Sequence, residues 1–300
     1  MSKLQKTVLF VGDHLAAGSV IMKGVQIANE MNKHTKADCV ALKRDGILQL
    51  KNKIIVLLGL ITDEFGLSAK DIYQLQEQGN IVVLDSVDKL CYLNTRNIDN
   101  ESSLYNVADG ILFANTFQQD HFKDSVGNMS VVIPHCYDAR LNAEIITKSN
   151  HFSVDYMGSH YSNPYLQSSK PQWLTTDFSG HTNAVYQRAK QSNCHFSHRM
   201  SDTVEFYFKP CTKLAMAAAT NACILITRDK SNLEILPEYT LYVDDTMDNI
   251  FTKYEIALSA FGTPKWKSLL DELAPVKQKT NVENVVPLYI EFFKKLLDSK

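Results

Sequence analysis

The segment KPCTKLAMAAATNACILITRD, Lys209–Asp229, sets two lysines at the mouth of a small-residue stretch that ends in a β-branched burst. Lys209-Pro210 reads as a loop, Thr212 as a helix N-cap and Lys213 as a residue of the first helical turn. A lysine there opposes the helix dipole, which a bound anion would offset, and the backbone N–H groups of a helix start suit the same ligand. The chemistry offered is recognition of phosphate; two solvated lysines on an exposed loop are the plainer alternative. Arg199, at the end of NCHFSH, adds a guanidinium whose fork matches phosphate oxygens, unless it pairs on the surface with Asp202 or Glu205. Both Arg199 and Lys213 are expected to be at least partly exposed. Near the N-terminus, VGDHLAAGS places Asp13 and His14 after a strand-like run, two groups that can accept a proton, or else a turn cap and an exposed polar residue. Gly12 and Gly18 allow close backbone approach, but no G-x-G-x-x-G follows, which argues against a plain dinucleotide-binding dehydrogenase.

These residues need a scaffold, and the apolar pattern supplies one. TVLFVG, DCVAL, KIIVLLG, NIVVLD, GILFAN and SVVIP read as strands buried on both faces. Helical stretches lie between them, such as Ser19–Asn32, with Val20, Met22, Val25, Ile27, Ala28 and Met31 as its apolar face, and Ser68–Gln78, closed by Gly79. After residue 140 the rhythm restarts with FSVDYMG, PQWLTTD, NCHFSH, ACILIT and YTLYVDD, and with helices at Thr182–Lys190, Thr212–Thr220 and Met247–Ser259. The alanine-rich helix should end near Asn221, a residue that tolerates the left-handed conformation. Strands alternating with helices predict parallel sheets covered on both sides, hence two doubly wound α/β domains. Ligands in such folds gather at the carboxyl ends of the strands.

The 300 residues suit two domains of ordinary size, and a net charge of -2 with 45% hydrophobic and 21% charged residues excludes the basic profile of a nucleic-acid binder. The six cysteines are scattered without a C-x-x-C pair, which points to buried thiols in a reducing compartment. No apolar run approaches roughly 18 residues, so the expected location is cytoplasmic, or peripheral at a membrane. The tail NVVPLYIEFFKKLL carries an apolar stripe of Leu288, Tyr289, Phe292, Phe293 and Leu296 that could touch a membrane surface. Cys194, His195 and His198 lie close in sequence, yet His195 faces away from the other two on a strand, so no metal site is expected.

KLAMAAATNACIL resembles the C-terminal-domain segment of GT-B glycosyltransferases of the family-4-like kind, in which a loop, an alanine-rich helix, a turn residue and a strand cradle the donor's diphosphate and ribose. Asn232–Leu236 stands in the place of that family's next short helix, and TLYVDD is like the strand after it. DGILFANTFQQDHF with VVIPHCYD is similar to the strand, helix and strand end that close the N-terminal domain, and VVLDSVDKL resembles a strand end of some members. Arg199, Lys209, Pro210 and Lys213 reproduce the "R, then KP-x-x-K" of a divergent subgroup. The departures are Phe208 and Met216 where the large retaining families carry two glutamates, Asn221 for their turn glycine and Cys223 for the proline after it.

The resemblance implies two Rossmann-like domains facing across a cleft. Residues 1–145 would form the acceptor side and 146–279 the nucleotide-sugar side, with a final helix at about 280–300 packing back on the first domain. It implies transfer of a sugar from a nucleotide-activated donor to a hydroxyl of a glycan or other acceptor, without metal or further cofactor. Gly12, Gly158, Arg199, Lys209, Thr212, Lys213 and Glu234 would bind the donor. Arg199 and Lys213 would neutralise the leaving diphosphate, Asp13 or His14 would serve as general base, and Asp85, Asp88 and His135 would lie on the acceptor side. Asp85 and Asp88 also read as strand-end or helix-cap carboxylates. A catalytically silent sugar- or nucleotide-binding protein, favoured by the missing glutamates, and a nucleotide-sugar epimerase are the alternatives.

Overall fold

The structure, a computed structural model, describes residues 4–15, 18–59, 64–85, 98–126, 129–142, 146–157, 170–176 and 182–300. The apolar bursts of the first half form β1 (Thr7–Gly12), β2 (Ala37–Ala41), β3 (Lys53–Leu58), β4 (Ile81–Asp85), β5 (Gly110–Phe113) and β6 (Met129–Val132). All pair in parallel, in the order β2-β1-β3-β4-β5-β6. Ile54–Leu57 and Val82–Leu84 are wholly buried, which is why β3 and β4 read as unbroken apolar runs rather than alternating ones. The chain steps from β1 outward to β2 and then back past β1 to β3. The strand order therefore reverses between β1 and β3, and Gly12 and Asp13 lie at that switch point.

The helix expected over Ser68–Gln78 forms as Ala69–Glu77, with Ser68 as its N-cap and Gln78 as its C-cap. Ser68 accepts from the backbone N–H of Asp71, whose carboxylate in turn accepts from the Ser68 N–H at 2.8 Å, a reciprocal capping box. Gly79 closes the helix at φ 79°. The stretch after β1 differs from a regular helix. It runs α over Gly18–Val20, π over Ile21–Val25 and α again over Gln26–Met31. The widened turn brings Lys23 and Gly24 onto the buried face, while the expected core residues Met22 and Val25 are only half-buried. Gly24 is required by closeness, since a Cβ there would stand 2.7 Å from Cys39 Sγ and 2.8 Å from Leu58 Cδ1.

In the second half β7 (Val154–Tyr156), β8 (Leu174–Thr175), β9 (Cys194–Ser197), β10 (Cys223–Thr227) and β11 (Tyr242–Val243) form a second parallel sheet, ordered β11-β10-β9-β7-β8. Its order reverses between β7 and β9. Helix Thr212–Ala219 packs on β9 and β10 and on helix Ala274–Lys279, and its Leu214, Ala215 and Ala217 are fully buried; side chains this small let helix and sheet approach closely. Its N-cap is Cys211, and Thr212 is its first helical residue instead of its cap. Asn221 takes the left-handed conformation, φ 51°, where the helix turns into β10.

The chain divides into two compact units. One comprises Met1–Cys136, Phe208–Pro210 and Val282–Lys300, the other Tyr137–Tyr207 and Cys211–Asn281. The first unit ends in helix Val282–Asp298, which buries Tyr289, Phe292, Phe293 and Leu296 and leaves Leu288 exposed. Tyr289 meets the ring of Phe10 from β1 edge-on, with centroids 5.9 Å apart. Among the described residues no helix is long and apolar enough to cross a membrane. A Cβ at Gly110 would stand 2.8 Å from Phe292 Cζ and 3.0 Å from Leu296 Cδ1. Gly110→Ala is therefore expected to overpack this contact and lower unfolding free energy by about 1–3 kcal/mol, read by urea denaturation.

Candidate functional site

The charged residues of the second unit meet where β9 and β10 end. Arg199 lies two residues beyond β9, and its backbone N–H donates to Thr227 Oγ1 on β10 at 3.2 Å. Its guanidinium Nη1 pairs with Asp229 Oδ2, a carboxylate with no exposure to solvent. Asp229 is the N-cap of helix Lys230–Ile235, its Oδ1 accepting from the Asn232 N–H at 2.9 Å, and Asn232 Nδ2 donates to the Thr227 carbonyl at 3.1 Å. Lys213, in the first turn of its helix, holds Nζ 5.3 Å from the ring centroid of Tyr156, the last residue of β7. Arg199 thus follows β9, and the Lys213 ammonium lies over the last residue of β7, the two strands between which the second sheet's order reverses.

Burial pushes the Asp229 carboxyl up to about 6, against the opposing pull of Arg199, the Asn232 N–H and the charge of Lys213. The arrangement gathers two cations and one carboxylate at the carboxyl ends of parallel strands, and such a set can bind and neutralise a diphosphate.

The surface partners expected for Arg199, Asp202 or Glu205, are replaced by Asp229. Arg199 is partly exposed as expected, though only a tenth of its side chain reaches solvent, because a guanidinium paired with an interior carboxylate must follow it inward. Lys213 is half-buried, and Glu234 is exposed on helix Lys230–Ile235. Lys209 is half-buried and belongs to the first unit. Phe208 packs among Phe117, His121 and Phe122 at centroid distances of 5.3–5.9 Å, and its carbonyl accepts from Gln118 Nε2. Met216 is buried in the second core.

In the first unit Gly12 ends β1, and a Cβ there would lie 2.7 Å from Val20 Cγ1, so packing alone demands glycine. Asp13 is half-buried and His14 exposed just beyond it. Asp85 ends β4 and faces Lys23 Nζ at 3.2 Å, both side chains at most 2% exposed. His135 is buried, with Nδ1 2.9 Å from the Cys136 carbonyl, a pairing that puts its proton on Nδ1. Asp88 and Gly158 lie outside the described residues. His195 Nε2 approaches the Ala189 carbonyl at 3.2 Å and burial lowers its pKa to about 3, while His198 Nε2 meets Asp245 at 3.2 Å. Among the described residues no three His, Cys, Asp or Glu side chains are grouped to hold a metal. A separate open cavity of about 640 Å³ lies along β11, lined by Arg228, Tyr242, Lys253 and Glu272 among others, and includes none of the expected site residues.

Asp229 and Lys23 escaped the sequence reading. Asp229 carried a signal in D-x-x-N directly after a β-branched run, the spacing of a helix cap. Lys23 carried none, because only the π turn moves it to the buried face.

No protein-family model and no curated protein sequence matches the chain. Solved structures do. A sucrose-phosphate synthase from Thermosynechococcus elongatus aligns at 12% identity over 99% of this chain and 100% of its own, with a TM-score of 0.64. HepE from Anabaena, solved with UDP and glucose, aligns at 8% identity over 97% of this chain and 100% of its own, with a TM-score of 0.65. The chain has the GT-B fold. The same fold also appears in the trehalose-6-phosphate phosphatase N-terminal domain of Candida albicans, at 10% identity over 98% of this chain and 97% of that one, with a TM-score of 0.55. At such identities the GT-B likeness concerns architecture alone.

Two stability outcomes follow from the Arg199–Asp229 pair. Arg199→Ala leaves a buried carboxylate without its guanidinium and is expected to cost about 3 kcal/mol or more, whereas Lys213→Ala, which gives up a cation–π contact, costs about 1 kcal/mol. Urea unfolding of both variants measures the difference. The pH dependence runs opposite to that of an ordinary salt-bridged aspartate. Folding raises the Asp229 carboxyl from 3.8 to about 6, so the folded chain takes up this proton first as pH falls. Its contribution to stability grows as pH drops through about 6 and levels off below about 3.8. Denaturation of the unsubstituted protein and Asp229→Asn at pH 7.5 and pH 5 should show the former gaining relative to the latter at the lower pH.

Proposed function

We propose that the protein is a glycosyltransferase that moves a sugar from a nucleoside diphosphate donor to a hydroxyl of a glycan or other acceptor. The observation that carries this reading is the pair of cations, Arg199 and Lys213, at the switch point of the second sheet. In glycosyl transfer the acceptor oxygen bonds to the anomeric carbon, the bond from that carbon to the β-phosphate oxygen breaks, and the nucleoside diphosphate departs with added negative charge. Fixed cations aimed at that charge lower the barrier, a role filled here by side chains without a metal or other cofactor. Thr212, Glu234 and Gly158 complete the donor contacts of the second unit in this proposal. The acceptor proton passes to Asp13 or His14 at the end of β1, with Asp88 on the acceptor side; Asp85 and His135 are buried and support that side from within. The scattered thiols favour a reducing, cytoplasmic setting, and the solved neighbour holding UDP and glucose supports UDP as the first donor base to try.

A silent binding protein is the second reading, favoured by a specific observation. Phe208 and Met216, where the resemblance puts two glutamates, are both taken up by apolar packing. Incubation with UDP-sugars and a panel of glycan acceptors distinguishes the readings: a transferase releases UDP together with acceptor-dependent glycoside, an epimerase isomerises the donor, and a binder does neither. Lys213→Ala is expected to weaken UDP binding about tenfold, the scale of one charge-assisted contact, as measured by calorimetric titration. Asp13→Asn or His14→Ala, whichever is the base, should reduce turnover about 100-fold or more with UDP affinity unchanged.

A further inference from the structure

Asp229 is a group that a donor diphosphate would not touch, since it is wholly buried and carries the same sign of charge. Its two oxygens are nevertheless committed in different directions. Oδ2 takes the Arg199 guanidinium, and Oδ1 takes the N–H of Asn232 and so caps helix Lys230–Ile235. Arg199 is also tied through its own backbone N–H to Thr227 Oγ1 on the neighbouring strand. Asn232 is anchored in turn, its side chain donating to the Thr227 carbonyl and its own carbonyl accepting from the Tyr242 hydroxyl at 3.0 Å. The carboxylate therefore stands on a frame of β10, its following helix and β11. An arginine side chain carries about 2 kcal/mol of rotamer entropy, and a fixed carboxylate behind it removes much of that freedom before a ligand arrives.

We propose that Asp229 is a positioning residue that holds the Arg199 guanidinium at the carboxyl ends of β9 and β10 for the diphosphate of a nucleotide-sugar donor. This rests on the reading of Arg199 as a diphosphate ligand. The competing role, a counter-charge that only tempers the positive field of Arg199 and Lys213, predicts the opposite sign on removal of the carboxylate charge. The groups that bear on Asp229 are the Arg199 guanidinium, the Lys213 ammonium, the Asn232 N–H and the Tyr242 phenol, with Lys230 next in the chain and placed over the Tyr207 ring. Only the first of these is bonded to the carboxylate by a cationic side chain. Its charge state, which changes near pH 6, therefore sets how firmly Arg199 is held.

Asp229→Asn is the informative change, because asparagine caps helices as well as aspartate does and retains an oxygen toward Asn232. The experiment is calorimetric titration of the full chain with UDP, and with inorganic pyrophosphate as a base-free probe, at pH 7.5 and pH 5.5. At pH 7.5 D229N is expected to bind both probes about tenfold more weakly than the unsubstituted protein, on the scale of one charge-assisted bond. At pH 5.5 the ratio should shrink toward one, because the carboxyl is then largely protonated. UDP's own terminal phosphate titrates at about pH 6, and comparing the two proteins at each pH cancels that contribution. Arg199→Lys, which keeps the charge but loses the fork, should show a comparable loss, and the double variant should lose less than the product of the two single losses. Equal or tighter binding by D229N, a ratio independent of pH, or strictly multiplicative losses would each overturn the positioning role while leaving the donor reading intact. Failure of the unsubstituted protein to bind either probe would overturn the donor reading and the positioning role together.

Discussion

Water does not reach the Asp229 carboxylate, and much of the second unit is arranged to make that tolerable. A buried charge persists when it is paired and hydrogen-bonded, and here the guanidinium of Arg199 and the N–H of Asn232 supply both requirements. Because the same side chain caps the next helix, the end of β10, the turn after it and the position of the cation are set together. Tyr242 extends the arrangement by donating to the carbonyls of Asn232 and Leu236, so β11 is fastened to the helix as well as to its neighbouring strand.

The first unit uses a related device with a different outcome. Lys23 and Asp85 also form an ion pair where a parallel strand ends, but neither side chain is more than 2% exposed. Arg199 keeps a tenth of its surface in solvent. The second pair keeps an edge of its cation in solvent, whereas the first is buried at both members. That difference in burial, more than any difference in charge, distinguishes the two pairs.

The fold was largely legible from the chain because parallel sheets bury both faces of their strands. Runs such as KIIVLLG and ACILIT have no polar alternation to obscure them, and Gly79 and Asn221 mark helix ends by the φ they can adopt. The π turn was not legible, since its identity depends on Gly24 lying close against Cys39 and Leu58, a tertiary fact. Of the site, Lys213 was readable from its place in a helix start. The partner of Arg199 was not, because Asp202 and Glu205 are near in sequence while Asp229 becomes adjacent only when β9 pairs with β10. Local spacing thus identified the cations, and strand pairing decided which carboxylate meets them.

The discontinuous makeup of the first unit bears on how the chain acquires its structure during synthesis. Its sheet strands are made early, yet the helix Val282–Asp298 that covers Phe10 and Gly110 begins 150 residues after the end of β6. The second unit ends at Asn281, so its sequence is complete before that helix is made. The unit whose strands are written first is thus the one completed last, and until then the apolar face around Gly110 lacks the helix that covers it.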